Sequence, residues 1–292
     1  IKDSAHSRTE RVLAQNGNTY IRKYFPIGIP GSENEYRLLS QLNHPALPQI
    51  YDYYELAGKG VLIEEYIEGM KLADIINIFG TLSEPKAVEI TKKVCEVCIY
   101  LHQQRPAPII HRDIKPDNII CMADGNIKLI DFGSAREYKD SNSKDTIYVG
   151  TIGYAPPEQF GFGQTDMRSD IYGIGMTMLN LLTGKTPERG QKIQLSDTNI
   201  SMDIQQIIHS ATQFDPAKRY ISVSSMLSDL NDLVPQKSTI SRIKEISLIA
   251  TNDIFPKHRN WPAVVKWLFM PLHAILLLLF VVIMARNILE AA

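Results

Sequence analysis

Two short apolar runs, Ile119-Ile120-Cys121 and Ile127-Lys128-Leu129-Ile130, flank Asp124-Gly125, a strong signal for a two-strand hairpin. What stands at the two ends of that hairpin constrains the rest of the chain. Asn118 precedes the first strand and Asp131 follows the second, so pairing the strands sets an amide oxygen beside a carboxylate, both within reach of one cation. Upstream runs His111-Arg112-Asp113-Ile114-Lys115-Pro116-Asp117-Asn118, and downstream Asp131-Phe132-Gly133. These are the groups that phosphoryl transfer uses: a carboxylate to orient a hydroxyl, a cation to meet the moving phosphoryl, and oxygen ligands for magnesium.

At these residues the sequence resembles the eukaryotic-type Ser/Thr protein kinases, including those of bacteria. The resemblance covers about Val12 to Leu233. It implies an α+β, two-lobed protein kinase fold over 1–234, with a small β-rich lobe to about residue 67 and a larger helical lobe beyond. It also implies ATP and Mg2+, with Asp113 and Lys115 catalytic and Asn118 and Asp131 holding the metal. Lys23, Glu35, Glu65, Ile67 and Ile120 then become the residues that meet ATP.

In the small lobe, Arg11–Gln15 and Asn18–Phe25 alternate as strands do, with Asn16-Gly17 as the turn between them. Lys23 matches the family's phosphate-gripping lysine, and Arg22 faces the opposite way. Ser32-x-x-Glu35 is a capping-box pattern opening a helix to about Leu42, ahead of His44-Pro45. Glu35 matches the lysine's ion-pair partner; Glu33 is the alternative, and capping duty the other reading of Glu35. Two more strands, Gln49–Glu55 and Val61–Tyr66, surround a Gly58-Lys59-Gly60 turn and lead into a hinge, Glu65-Tyr66-Ile67-Glu68-Gly69. The Glu65 carbonyl and Ile67 N–H would meet the adenine edge, with Glu64 behind them as a gatekeeper that must stay solvated or find a donor. One departure stands out: aligning the family's glycine-rich loop on Val12 puts Ala5, Ser7 and Glu10 where its glycines belong.

In the large lobe a helix runs from Ser83 to about Gln104, started by Pro85 and stopped by Pro106-Ala107-Pro108. Cys95 and Cys98 fall within it and read as two small apolar residues on one face rather than a redox pair. The hydroxyl-rich segment Ser134–Tyr148 leads into Gly150-Thr151-Ile152-Gly153-Tyr154-Ala155-Pro156-Pro157-Glu158, which resembles the end of an activation segment. Glu158 and Arg219 match a buried structural pair, and Asp170, opening an apolar helix to Gly184, matches the residue that anchors the loop around His111. Arg112 marks the subclass in which arginine neutralises a phosphorylated loop, with Arg136 beside it. Thr146, or failing that Thr151, is the expected phosphorylation site, although Thr151 reads equally as a contact to the catalytic loop. Helices near Ile204–Thr212 and Val223–Leu233 close the domain.

Residues 235–266 read as a juxtamembrane linker. Trp267–Ala285 carries no formal charge, and at 1.5 Å per residue its length is about that of a bilayer core. Lys257, Arg259 and Lys266 stand before it against Arg286 after it, which predicts a single-pass cell-membrane protein with its kinase domain in the cytoplasm. An interfacial or buried helix is the other reading, given Pro271 and His273. The chain opens at Ile1 rather than methionine and reads as a piece of a longer one, and its three cysteines suit a reducing compartment. With 31 basic and 32 acidic residues, nothing points to nucleic acid as a partner. Protein substrates and the membrane are the expected partners, and pairing of two copies is left open. The missing glycines favour a second reading, a catalytically impaired scaffold of the same fold. A small-molecule kinase is a third, opposed by the polypeptide-docking elements around Pro156-Pro157-Glu158 and Arg219.

Overall fold

Five antiparallel strands form the small lobe: β1 (Lys2–Asp3), β2 (Arg8–Leu13), β3 (Thr19–Pro26), β4 (Ile50–Leu56) and β5 (Lys59–Glu65), in the order β1-β2-β3-β5-β4. The computed structural model describes residues 2–3, 8–28, 32–138, 150–161, 163–186, 195 and 199–233. These belong to one compact unit, Ile1–Val234. The linker and apolar run of 235–285 lie outside the described residues, among which no helix is long and apolar enough to cross a membrane.

The β2–β3 hairpin closes through Gly17 at φ +82°, with Ala14 N–H donating to Asn18 O at 2.9 Å. Its first strand begins three residues before the predicted Arg11. The β4–β5 turn differs from expectation. Ala57 (φ +49°) and Gly58 (φ +74°) form it, and Lys59 and Gly60 belong to β5. Gly60 pairs with Phe25 and Glu55, and the Tyr53 ring lies over it so closely that its Oη would be 2.7 Å from a Cβ there. Helix α1 (Ser32–Leu39) ends three residues short of the predicted Leu42, because Gln41 and Leu42 N–H bond back three residues to Leu38 and Leu39.

The large lobe holds five α-helices among the described residues: α2 (Leu72–Phe79), α3 (Glu84–His102), α4 (Met167–Thr183), α5 (Met202–Ala211) and α6 (Val223–Asp232). The sequence reading had no α2. Its N-terminal neighbour is the short strand β6 (Met70–Lys71), which pairs with β8 (Ile119–Cys121). Between them in the chain lies β7 (Ile109–Ile110).

Helix α3 buries Ala87, Ile90, Val94, Cys95, Val97, Cys98 and Leu101, an amphipathic stripe turned into the core. Both cysteines are free, and burial pushes the Cys95 thiol up to about 12 and Cys98 well above its usual value, so neither is a ready nucleophile. Helix α4 is buried on almost every side. It starts at Met167, with Asp166 as its cap, so Asp170 sits in the first turn rather than at the opening. Glycine in a helix interior is unfavourable by about 1 kcal/mol. Here Gly173 lets Ile114 O approach, and Gly175 lies where a Cβ would meet Ala211 Cβ at 2.7 Å. The central helix is thereby pressed against the loop carrying Ile114 on one side and the end of α5 on another.

Strands β8 and β9 (Ile127–Leu129) form the predicted hairpin, with Gly125 at φ +84° in its turn. Ile130 N–H donates to Asn118 O at 2.9 Å, which sets Asn118 and Asp131 next to one another at the open end. Beyond it, β10 (Arg136–Glu137) pairs with β7.

Candidate active site

Strand alternation turns Lys23 toward α1 and Arg22 to the other face of the sheet. Lys23 Nζ lies 3.0 Å from Glu35 Oε1 and 2.9 Å from Glu64 Oε1. Burial works against the Lys23 ammonium, but Glu35 and Glu64 outweigh it and hold its pKa above the usual lysine value. Glu35 Oε1 also accepts from Phe132 N–H at 2.9 Å, so one carboxylate oxygen ties the sheet to the Asp131-Phe132-Gly133 segment. Helix α1 is fixed to that segment twice more, by Asn34 Nδ2 to Ala135 O (2.6 Å) and Arg37 to Glu137 (2.9 Å). Glu33 is exposed. Glu64 Oε2 is buried with no hydrogen-bond partner among the described residues. Burial drives this carboxyl up to about 7 despite Lys23.

The strand register overturns one expectation. Directly opposed residues share a face of the sheet. Glu10 pairs with Arg22 and Val12 with Tyr20, whereas Thr9 pairs with Lys23 and Arg11 with Ile21. Glu10 is therefore on the face away from Lys23, in an ion pair with Arg22 at 2.5 Å that holds its carboxyl below the usual range. It does not bring charge over a nucleotide. The β2 residues that share the Lys23 face are Thr9, Arg11 and Leu13, one position off the predicted alignment on Val12. Ala5 and Ser7 lie outside the described residues. Arg11 reaches the hinge, its guanidinium carbon 5.3 Å from the Tyr66 ring centroid and Nη1 3.3 Å from the hydroxyl.

At the hinge, the Glu65 side chain accepts from Lys128 Nζ at 2.6 Å and from Gln49 N–H at 3.0 Å. Lys128 also donates to Leu47 O at 3.0 Å, bracing the hinge against β9. Among the described residues nothing accepts from the buried Ile67 N–H, an orphan donor that suits a ring nitrogen of an adenine. Gly69 leaves no room for a Cβ against Ile120 Cγ2 and Cys121 O, so the hinge lies close upon β8 and Ile120.

Across from this, the Asp113 carboxylate is fixed at both oxygens. Thr151 Oγ1 donates to Oδ1 at 2.8 Å, while Lys115 Nζ (2.7 Å) and Asn118 Nδ2 (2.9 Å) donate to Oδ2. Lys115 also donates to Thr151 Oγ1 at 2.5 Å. Asn118 donates again to Asp113 O at 2.9 Å, which leaves its amide oxygen as the atom a cation would meet. Burial would raise the Asp131 carboxyl, yet the Lys23 ammonium, with lesser help from His111, keeps it below the ordinary range and so ionised. One amide oxygen and one ionised carboxylate suit Mg2+, which takes few protein ligands and fills its octahedron with phosphate and water. No group of three His, Cys, Asp or Glu side chains among the described residues could hold a metal by itself.

The loop carrying Asp113 hangs from Asp170, which accepts His111 N–H at 3.0 Å and Arg112 N–H at 2.8 Å. Burial opposes the Asp170 charge, but His102, whose Nε2 is 2.8 Å away, with lesser help from His111 and the Arg112 N–H, holds its carboxyl low. Arg112, at φ +64°, donates through Nε to Ser134 O at 2.7 Å. Arg136 turns its Nη2 to Thr165 O and Oγ1. Glu158 and Arg219 form a buried bidentate pair at 2.7 and 2.9 Å, with Ser169 Oγ on the same carboxylate. Thr146 lies outside the described residues. His102, Lys128 and Ser169 have no role assigned from sequence. Each acts through a partner at least eleven residues away, and no local pattern marks such pairs.

Residues 29–251 match the family model for the protein kinase domain. The chain is 32% identical over 231 residues to the serine/threonine-protein kinase PrkC of Bacillus subtilis (strain 168), covering 74% of this chain and 34% of the relative. It is 32% identical over 210 residues to PknB of Mycobacterium leprae (65% and 33%). It is also 34% identical over 203 residues to serine/threonine-protein kinase C of Synechocystis sp. (64% and 37%). The chain spans about a third of the length of these curated relatives. It belongs to the protein kinase family, and the relatives named here are serine/threonine-protein kinases.

Proposed function

We propose that this chain is the catalytic part of a membrane-anchored Ser/Thr protein kinase that moves the γ-phosphoryl of Mg-ATP to hydroxyls of protein substrates. The observation that carries the reading is the Glu35 carboxylate, bonded at once to Lys23 Nζ and Phe132 N–H. It joins the nucleotide-side lysine to the segment bearing Asp131 in a single arrangement, which a binding scaffold would not need. Asp113 orients the acceptor hydroxyl and takes its proton, and Lys115 neutralises charge on the group in transfer. Lys23 positions the non-transferring phosphates. Glu65 O, Ile67 N–H and Ile120 receive the adenine. Magnesium, when bound through Asn118 and Asp131, supplies charge neutralisation at the phosphates.

Thr151 is assigned to positioning Asp113, since its hydroxyl is spent on that carboxylate. A phosphorylation switch falls to Thr146, with Arg112 to meet the phosphate. The uncharged run 267–285, with Trp261 and Trp267 at one margin and Lys257, Arg259 and Lys266 before it, supports a membrane anchor with the kinase domain in the cytoplasm.

Transfer of labelled phosphate from Mg-ATP to a generic basic protein tests the activity. Asp113→Asn should abolish transfer and spare nucleotide binding, whereas Asp131→Asn should weaken both. Equal loss of binding in the two variants would refute the division of roles. For the anchor, the full chain should stay with membranes through a high-salt wash; release by salt would mean an interfacial tail.

A further inference from the structure

We propose that Glu64 is a second partner of Lys23 that withholds one of the lysine's hydrogen-bond donors from the nucleotide, and so sets how tightly the site grips Mg-ATP. The inference rests on the reading of this cleft as a nucleotide site. An ammonium has three N–H donors. Glu35 takes one at 3.0 Å and Glu64 a second at 2.9 Å, which leaves one for phosphate.

The two carboxylates are not equivalent. Glu35 has a further duty at Phe132 N–H, so its hold on Lys23 is part of the inter-lobe frame. Glu64 has none. Its Oε1 meets only Lys23, and its Oε2 is buried without a partner among the described residues. It stands on β5 immediately before the hinge, opposite Ile21 on β3 and Ile50 on β4, with apolar neighbours on both strands. A buried oxygen left unsatisfied is unfavourable, and native structures hold few of them. The frame therefore does not account for this side chain.

Its effect falls on the ligand. The charged groups facing it are Lys23 from β3, Glu35 from α1 and Asp131 at the hairpin end, so three carboxylates surround one ammonium. A triphosphate brought to Lys23 meets that excess negative charge as well as a lysine short of a donor. The raised Glu64 carboxyl, at about 7, reflects the same crowding.

The test is calorimetric titration of the full chain with the magnesium complex of a non-hydrolysable ATP analogue. Glu64→Gln keeps the shape and removes the charge. It should bind about tenfold tighter, the equivalent of ~1.4 kcal/mol, with a matching fall in the KM for ATP. Glu64→Met, which also removes the acceptor, should move in the same direction and stands in if the glutamine variant fails to fold. Glu35→Gln should bind more weakly. Losing a merely structural contact does not tighten binding, so the direction of the change discriminates. If the parent chain binds the analogue and both Glu64 variants bind it equally or less well, the inference is overturned and the nucleotide reading stands. If the parent chain does not bind it at all, both fall.

Discussion

Thr151 admits two incompatible readings, a phosphorylation switch or a brace for the catalytic carboxylate, and the geometry separates them by experiment. Its hydroxyl donates to Asp113 Oδ1 at 2.8 Å and accepts from Lys115 Nζ at 2.5 Å, linking the two residues assigned to the acceptor side. Thr151→Val preserves shape and removes both bonds. A hydrogen bond to a charged group contributes about 1.5–3 kcal/mol, so kcat should fall about ten- to a hundredfold if the whole bond is felt in the transition state. The KM for ATP should stay near that of the parent, because Thr151 has no bond to Lys23, Glu35 or the hinge. Thr151→Ser should restore most of the rate. Thr151→Glu sets a carboxylate against Asp113 and should be inactive, whereas a switch would be mimicked and turned on. Initial rates at saturating and limiting ATP, with mass spectrometry of the active protein, decide the matter. An active Thr151→Glu, or stoichiometric phosphate on Thr151 in the working enzyme, would refute the brace.

Glu10→Gly should leave affinity for the magnesium–ATP analogue unchanged in the same titration, since Glu10 pairs with Arg22 on the far face of the sheet; a tighter complex would show that the register of β2 differs in solution. Ala57→Gly or Ala57→Asn should raise the unfolding free energy from urea titration by about 0.5–1 kcal/mol, because an alanine held at φ +49° bears left-handed strain that these residues tolerate. Arg219→Met should destabilise by about 3–5 kcal/mol in urea unfolding, as it strands the buried Glu158 carboxylate. A loss under about 1 kcal/mol would mean that water enters to solvate Glu158.

The catalytic hairpin was legible because Asp124-Gly125 dictates a tight turn, and the turn fixes the register that sets Asn118 beside Asp131. Lys23 and Glu35 were legible through the family resemblance, which matches them to a lysine and its ion-pair partner; strand alternation adds only that Arg22 faces the other way. The register of β2 was not. Arg8-Thr9-Glu10-Arg11-Val12-Leu13 carries polar residues on both faces, so no hydrophobic pattern distinguishes Val12 from its neighbours. Only pairing with β3 does. The Ala57-Gly58 turn was missed because alanine gives no signal for positive φ, and Gly60 looks like a turn residue until Tyr53 is seen lying over it. Helix α2, at eight residues, is too short for its periodicity to decide against a strand. Glu64 could be flagged as odd from sequence, but the sharing of Lys23 between two carboxylates is a tertiary fact.

The two halves of the site are built to different tightness, and this bears on whether a chain without the family's glycines can work. On the acceptor side Asp113 is held by three donors, and its loop is hung from Asp170 at two backbone N–H groups. Each bond there aligns the group proposed to act on the acceptor hydroxyl, where preorganisation would act on turnover. On the nucleotide side Lys23 is divided between Glu35 and Glu64, and β2 turns Thr9 and Arg11 toward the cleft. Contacts to phosphates that are not transferred persist unchanged through the reaction, so weakening them raises KM and spares kcat. Loosened nucleotide grip and a rigid catalytic loop are therefore compatible. On the proposed roles, such an enzyme would turn over normally once saturated and respond to ATP concentration over a higher range. A scaffold would have no use for that asymmetry, because it would not need Asp113 fixed at both oxygens.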